Sequence, residues 1–583
     1  MSSLPDALSA LHDPSTTPAA RHAAHVFCEQ YKATAAARLA EILPLIHASQ
    51  PLLSRHFGLH AVEGVLQSQW EQLSPDAQLE LRRSLLSVAR DGLLPLAQEA
   101  HMVREKLAVL LVGIARREWP ARWTTMLPEL VQLASAGNTP AHCVLLAMRT
   151  LIEDICSEDG DSWGGGDGGG SNGSASSATD PRSALDAAAP DMLEWMHQRL
   201  RCHLSAYQAG PLEAVAEDLL VLRAALSALR AFATHLALGL LLSRASLLAE
   251  LVALLGAPVA AVRDEACELL VALLGKRPKQ ASEKLQLLGQ VAPAVLALPP
   301  ELLGRLGSST EEEDYTSFKQ LVELHVALAG AQLAALPSEA SQAAPLAANL
   351  EALLRLAEHP AQRVALSIAP VWSQLLKQPA AQASPQLLGN AALGSALLLF
   401  CLRRLVKVGD PEKEDSPACA YSRLEYGDKG EWVAAFGYLR SSLLQVAGLL
   451  ASFAPAAALT DALRHATSAA SQAVQDPIAA PPPASLPPAA LEAWCAMDGE
   501  VGSAPTVLCL DAAAVVLEAV GKQVHAATTP QHAADKSAEA ASAALRGCGV
   551  EAAGLAGGLL EWRPQHPALE IRRAQLLGAL TPC

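Results

Sequence analysis

Aromatic residues are scarce in this chain. Phe, Trp and Tyr together make up 4% of its 583 residues, and Val, Ile and Thr are thinly spread among abundant Ala and Leu. Strands favour β-branched and aromatic side chains and helices favour Ala and Leu, so the composition excludes a sheet-based fold and points to helix. Paired cysteines are missing as well. The 11 cysteines are scattered and no CxxC occurs, so neither a disulfide framework nor a zinc site is expected, and the thiols read as reduced. Positive charge is in deficit: 43 Lys and Arg face 59 Asp and Glu, a formal net charge of −16. That balance excludes wholesale coating of DNA or an anionic membrane, but not a local basic face. Long apolar runs are absent. The two most apolar stretches, 231–243 and 391–402, are closed by charges after about a dozen residues, short of the roughly 20 that span a bilayer. The opening residues MSSLPDALSALHDP lack a basic region followed by an apolar one. The expectation is a soluble intracellular protein without a secretory signal.

Catalytic and metal signatures are lacking too. The glycine run within 164–170 has no following Gly-Lys-Ser/Thr and no preceding strand, so it is not a phosphate cradle. No GxSxG elbow presents a nucleophile. His22, His25 and Cys28 recur at spacing three, but no further histidine completes a metal set nearby. No enzyme, metal or cofactor is expected.

What the sequence does have is helical periodicity. Leu79, Leu81, Leu85, Leu86 and Val88 form one apolar stripe; Leu107, Val109, Leu110, Leu111 and Ile114 form another; Leu247, Leu248, Leu251, Leu254 and Leu255 form a third. Breaks rich in Pro, Gly and Asp separate such segments, as at Ser74-Pro75-Asp76, where Ser74 and Pro75 fit a helix start. A helix pair with its turns takes about 40 residues, the period of HEAT and armadillo repeats. The fold class is therefore predicted to be all-α, a HEAT-repeat α-solenoid. Residues 158–180 are Gly/Ser-rich and residues 476–490 Pro-rich, and both interrupt the array as a flexible insertion and an extended loop. The acidic run Glu311-Glu312-Glu313-Asp314 is placed to begin a helix, where negative charge opposes the positive end of the helix dipole.

Two motifs carry a family resemblance. Residues 116–123 read RREWPARW, between a helix ending at Trp119 and one expected to start at Pro120, with Trp123 one turn on. This resembles the basic-x-Trp-Pro-x-x-Trp segment that nuclear exportins share with importin-β in their N-terminal region; Arg117, Trp119, Pro120 and Trp123 are its markers, with a structural role. Residues 410–436 read DPEKEDSPACAYSRLEYGDKGEWVAAF. The Asp-Ser-Pro-x-Cys-x-Tyr-Ser-Arg run, with Tyr315, Phe318 and Lys319 upstream, is similar to the exportin-5/HASTY family. The resemblance runs from about residue 20 to 475 and weakens beyond 490. The chain stops at about half the length of a full karyopherin, so a product truncated on its C-terminal side is expected.

The resemblance implies an organisation: 1–157 as N-terminal Ran-binding repeats, 181–475 as central repeats, and 491–583 as further helical repeats. It implies a shuttling export receptor, present in nucleus and cytoplasm, that works with Ran-GTP and nuclear pore proteins. Its cargo would be double-stranded hairpin RNA such as microRNA precursors, together with tRNA and some proteins. GTP would be bound by Ran, not by this chain. Ran would meet the second helices of the first pairs, here 35–48, 75–91 and 120–135. On the middle one, Glu80, Arg83, Ser87 and Arg90 share one face. The best basic cluster for RNA phosphates is Arg403, Arg404 and Lys407, followed by Arg423 and Arg440. A scaffold solenoid without Ran dependence, like a phosphatase regulatory subunit, is the alternative, and the two motifs argue against it.

Overall fold

The computed structural model describes residues 4–156, 181–211, 214–413, 416–475, 505–528, 537–564 and 567–581. The stretches read as insertions, 158–180 and 476–490, lie outside them. Every regular element among the described residues is helical. Two compact units are distinguished, Met1–Lys279 and Gln280–Cys583. This division falls inside the segment read from sequence as one block of central repeats.

The first unit contains α1 (Leu4–His12), α2 (Pro18–Ala33), α3 (Leu39–Ile42), α4 (Leu52–Gly64), α5 (Pro75–Asp91), α6 (His101–Glu118), α7 (Met126–Ala134), α8 (Asn138–Cys156), α9 (Pro181–Ala209), α10 (Ala216–His235), α11 (Leu238–Leu242), α12 (Ala245–Leu254) and α13 (Ala260–Gly275). Next-but-one helices pack on each other, α4 on α6, α6 on α8 and α8 on α10, and α10 then packs on α13, past the short α11 and α12. The intervening helices lie against this row, α5 touching α6, α7 and α8, and α9 touching α10. The second unit repeats the plan with α14 (Ala281–Leu296), α15 (Pro300–Ser308), α16 (Glu312–Ala335), α17 (Ala343–Leu356), α18 (Gln362–Lys377), α19 (Pro379–Ala383), α20 (Ala391–Leu405), α21 (Pro417–Glu425), α22 (Lys429–Phe453), α23 (Pro455–Gln475), α24 (Pro505–Thr528), α25 (Ser537–Glu561) and α26 (Pro567–Ala579). One row runs α14, α16, α18, α22, α24, α26, and a second runs α17, α20, α23, α25. Two rows of stacked helices are the HEAT-repeat architecture, in which each pair covers its apolar face with its neighbours.

Two sequence expectations are revised. The segment 35–48 is not one helix: it breaks into a 3₁₀ turn (Ala35–Arg38), α3, and a second 3₁₀ turn (Leu43–Ile46), with Pro44 in the last. Pro cannot donate into a continuing helix, and its ring crowds the preceding turn. Likewise Pro120 does not start a helix. Residues 119–125 form turns, and the helix begins only at Met126. A third finding concerns α22, whose length and apolar composition would suffice to cross a membrane. A search for uninterrupted apolar runs passes over it, because Arg440 sits at its middle. In the array its Trp432, Phe436, Leu439, Leu443, Val446 and Leu450 are buried, and it packs on α18, α20 and α24.

The deepest polar link of the first unit ties α4 to the turn before α6. Arg55 pairs with Glu99 through two hydrogen bonds of 3.0 and 2.7 Å, with the two side chains 3% and 0% exposed. Arg55 Nε also donates to the Ile46 carbonyl, and Glu99 accepts from the Leu94 and Ala100 backbone N–H groups. With all three guanidinium nitrogens and both carboxylate oxygens engaged, the pair is tolerable in the core; deleting one partner leaves an uncompensated charge. Glu99→Ala should therefore lose about 3–5 kcal/mol in urea unfolding, and the double variant Arg55→Met/Glu99→Leu should recover much of it.

Buried histidines add a pH dependence. On α8, burial and then the nearby Arg104 push His142 down to about 3 from an ordinary 6.5. The folded chain refuses a proton that the unfolded chain accepts below 6.5. The contribution is thus whole above that pH and is lost as pH falls towards 3. First-unit stability should fall between pH 7 and 5, and His142→Gln should flatten that slope by up to one proton's linkage, about 1.4 kcal/mol per pH unit.

Candidate functional site

Helix α5 begins as its sequence demands. Ser74 Oγ accepts from the Ala77 N–H, Pro75 occupies the first turn, and Asp76 lies at the positive end of the dipole. Gln78, Leu81, Leu85, Val88 and Ala89 are buried, which turns Glu80, Arg83, Ser87 and Arg90 outward; all four are exposed. Neighbouring arginines do opposite work. Arg83 faces solvent, whereas Arg82 points inward, pairs with Glu118, and lies 5.0 Å from the Trp123 ring. The predicted face is thus real as a surface. It lies in the helix row that continues to α7 and back to the Leu43–Ile46 turn.

The Trp-Pro joint is a packed corner. Trp119 is 6% and Trp123 1% exposed. Trp123 Nε1 donates to Glu129 at 3.0 Å, and its backbone N–H bonds the Glu118 carbonyl. Arg117 donates to the Gly113 carbonyl and sits over Trp70, while Arg122 reaches Gln78 on α5. Both rings pack, as expected, although a turn rather than a helix carries them from one to the next.

The five cations read as an RNA surface are mostly engaged within the fold. Arg403 is exposed and faces Glu358 at 3.8 Å. Arg404 is turned in. Its Nε and Nη2 donate to the Ala357 carbonyl at 2.9 and 2.7 Å, capping the end of α17, and burial brings its guanidinium down to about 10. Lys407 lies 5.3 Å from the Trp432 ring. Arg423 donates to the Lys413 and Pro411 carbonyls, fastening the loop before α21. Arg440 pairs with Asp511 on α24, which also holds Arg572 of α26. Consecutive positions in sequence do not make one phosphate-facing patch.

The second motif is a latch. Ser416 caps α21, accepting from the Cys419 N–H, and Tyr421 Oη reaches the Gly307 and Ser309 carbonyls at 3.0 and 3.1 Å. The Tyr421 ring packs against Tyr315 and His359, and His359 against Phe318. Lys319 bonds Glu425 and lies over Tyr315. Residues far apart in sequence therefore meet in one cluster. Gly409 makes the turn into it with φ +92°; a Cβ there would stand 3.1 Å from the Ala418 carbonyl.

A basic group that sequence reading passed over lies at the end of α13. Lys276, Arg277 and Lys279, with His235 and Asp186, line an open cavity of about 780 Å³. Lys276 also donates to the Thr234 carbonyl. The run Lys-Arg-Pro-Lys at 276–279 was its signal. His22 and His25 are exposed and Cys28 is buried, so the three do not converge. Among the described residues no group of three or more His, Cys, Asp or Glu side chains is placed to hold a metal, and the nine described cysteines are free thiols.

Comparison with known proteins places both motifs. An Exportin-5 family model matches residues 312–583, spanning the latch, and an Exportin 1-like protein model matches 100–270, spanning the Trp-Pro corner. This chain is similar to the exportin-5 family. Exportin-5 of Mus musculus is 25% identical over 442 residues, covering 75% of this chain and 35% of the mouse protein. Exportin-5 of Dictyostelium discoideum is 22% identical over 76% of this chain and 38% of its own. HASTY 1 of Arabidopsis thaliana is 29% identical over 155 residues, 26% of this chain and 12% of that one. The chain thus spans a little over a third of the exportin-5 relatives. A crystal structure of importin beta aligns over 99% of this chain and 60% of its own with TM-score 0.43 at 11% identity. The family match runs on to residue 583, past the point near 490 where the sequence resemblance weakens.

The corner is the testable part of this assignment. Trp119→Ala and Trp123→Ala should each cost the first unit about 3–5 kcal/mol, the usual loss for a buried large aromatic. Equilibrium urea unfolding reads this directly; a loss under about 1 kcal/mol would mean a ring that contributes to binding rather than to packing.

Proposed function

We propose that this chain is a nuclear export receptor of the karyopherin type, a carrier rather than an enzyme, which shuttles between nucleus and cytoplasm. The kinship with exportin-5 supports this reading, and the outward face of α5 is the observation that carries it. Glu80, Arg83, Ser87 and Arg90 present both charge signs and hydrogen-bonding groups on one ridge, suited to a polar protein partner. That partner is Ran in its GTP form, with the nucleotide held by Ran. Nuclear pore proteins are the further partners that passage requires.

Cargo is the finer part of the proposal. A structured hairpin RNA would be held by its phosphates, with Lys and Arg as donors. With Arg404 and Arg440 engaged internally and a net charge of −16, this chain alone should hold RNA weakly. Ran and cargo favour each other through a shared conformation of the array, a reciprocal coupling.

Capture on immobilised Ran, locked with GTP or GDP, tests the reading. The GTP form should retain the chain and the GDP form should not. Arg83→Glu/Arg90→Glu, on an exposed face, should weaken capture by about tenfold or more while leaving unfolding unchanged. Titration of a labelled hairpin with a 3′ overhang should show weak binding that strengthens with Ran-GTP and falls steeply with salt, as counterion release requires. Failure to bind Ran-GTP would move the chain to the scaffold reading.

A further inference from the structure

Helix α4 carries two histidines four residues apart, His56 and His60, and that spacing puts both on one face. Both are part-buried. Their rings meet at the tips: His56 Nε2 and His60 Nε2 lie 3.1 Å apart, closer than the ring centres at 4.4 Å. The tautomer of His60 follows from its other side. His60 Nδ1 lies 3.2 Å from Glu63 Oε2, and an ionised carboxylate only accepts, so Nδ1 carries the proton and Nε2 presents a lone pair. Lys106, on α6, holds the same Glu63 oxygen at 2.5 Å.

His56 can meet that lone pair in two ways. As the Nε2–H tautomer it donates to it; as the Nδ1–H tautomer it sets a second lone pair beside the first. Two acceptors at that spacing fit a cation between them. Nitrogens roughly 2.0–2.1 Å from one metal ion stand about 2.9 Å apart at a right angle and about 3.3 Å apart at the tetrahedral angle. The observed 3.1 Å falls between the two, so neither ring has to move far. Burial, then His60 and the cations Lys106, His12 and Lys32, hold the His56 imidazole below its ordinary pKa, and a metal requires that neutral form. Glu63 on His60 Nδ1 is the outer support that metal-binding histidines commonly have. We propose that His56 and His60 bind one divalent transition-metal ion through their Nε2 atoms, with Glu63 orienting His60 and water completing the coordination. Imidazole donors select zinc, nickel or copper over calcium and magnesium, which prefer oxygen. With two protein donors the site is open and exchangeable, unlike the closed sets that build structural centres. It is formed within the first unit and does not depend on any transport role.

The probe is Ni²⁺, titrated calorimetrically into the full chain with its thiols kept reduced. Other histidines and thiols will also take Ni²⁺, so the readout is the equivalent that the variants lose. His56→Gln and His60→Gln should each weaken that equivalent by more than about tenfold. Glu63→Gln leaves both ligands in place and should weaken it by about tenfold, the usual cost of losing an outer-shell carboxylate. Mg²⁺ should produce no such equivalent. Circular dichroism checks the fold of each variant, and His60→Gln, on a side chain 40% exposed, decides the matter alone if His56→Gln unfolds. Ni²⁺ isotherms that coincide for the natural chain and His60→Gln would overturn the proposal and leave the pair as a hydrogen bond only. So would equal uptake of Mg²⁺, or an affinity untouched by Glu63→Gln.

Discussion

Each helix in this chain carries a broad apolar face and no partner of its own to cover it, and the fold follows from that need. An Ala- and Leu-rich helix offers little shape for a specific interlock, so burial comes from repetition. α4 rests on α6, α6 on α8, α8 on α10, and the same step recurs in the second unit from α14 to α26. The helices between fill the second row. α22 shows how far the constraint reaches: it is apolar enough for a bilayer, yet it meets its need sideways, against α18, α20 and α24. Stability of this kind is shared between neighbours, so damage at one joint is felt in adjacent pairs.

Polar bookkeeping in such an array falls largely to arginine. Stacked helices leave carbonyls unsatisfied at their ends, and a long side chain with five donors reaches them from the next element. Arg55 reaches Ile46, Arg263 reaches Ala257, and Arg404 reaches Ala357. Where a carboxylate is also at hand, the result is the buried Arg55–Glu99 pair or the Arg440–Asp511–Arg572 bridge. These cations serve folding, and a chain already short of positive charge has correspondingly fewer left for phosphates. The Lys276–Lys279 end of α13 and the outward face of α5 carry polar groups not placed in the core.

The two family motifs are joints, not contact surfaces. The Trp-Pro corner sets the turn from α6 to α7, and its tryptophans are inside. The Asp-Ser-Pro run builds α21 so that Tyr421 can reach two carbonyls after α15 and close an aromatic cluster with Tyr315 and His359. The likeness to exportins is therefore carried by residues that set the geometry between helices, while Glu80, Arg83, Ser87 and Arg90, proposed to bind, belong to an ordinary amphipathic helix.

Local chemistry determined much of this. The 3.6-residue stripes, the Ser74-Pro75 cap and the acidic start of α16 are short-range effects, complete within one or two turns of chain, and each stands where its residues put it. The outward direction of the α5 face follows from the same periodicity. Tertiary structure alone decided which cations are spent, because whether Arg404 faces solvent depends on a carbonyl 47 residues away. It likewise decided that α22, long and apolar enough for a bilayer, lies among other helices. Periodicity specifies which face of a helix is buried; only the packing of distant segments specifies what that face meets.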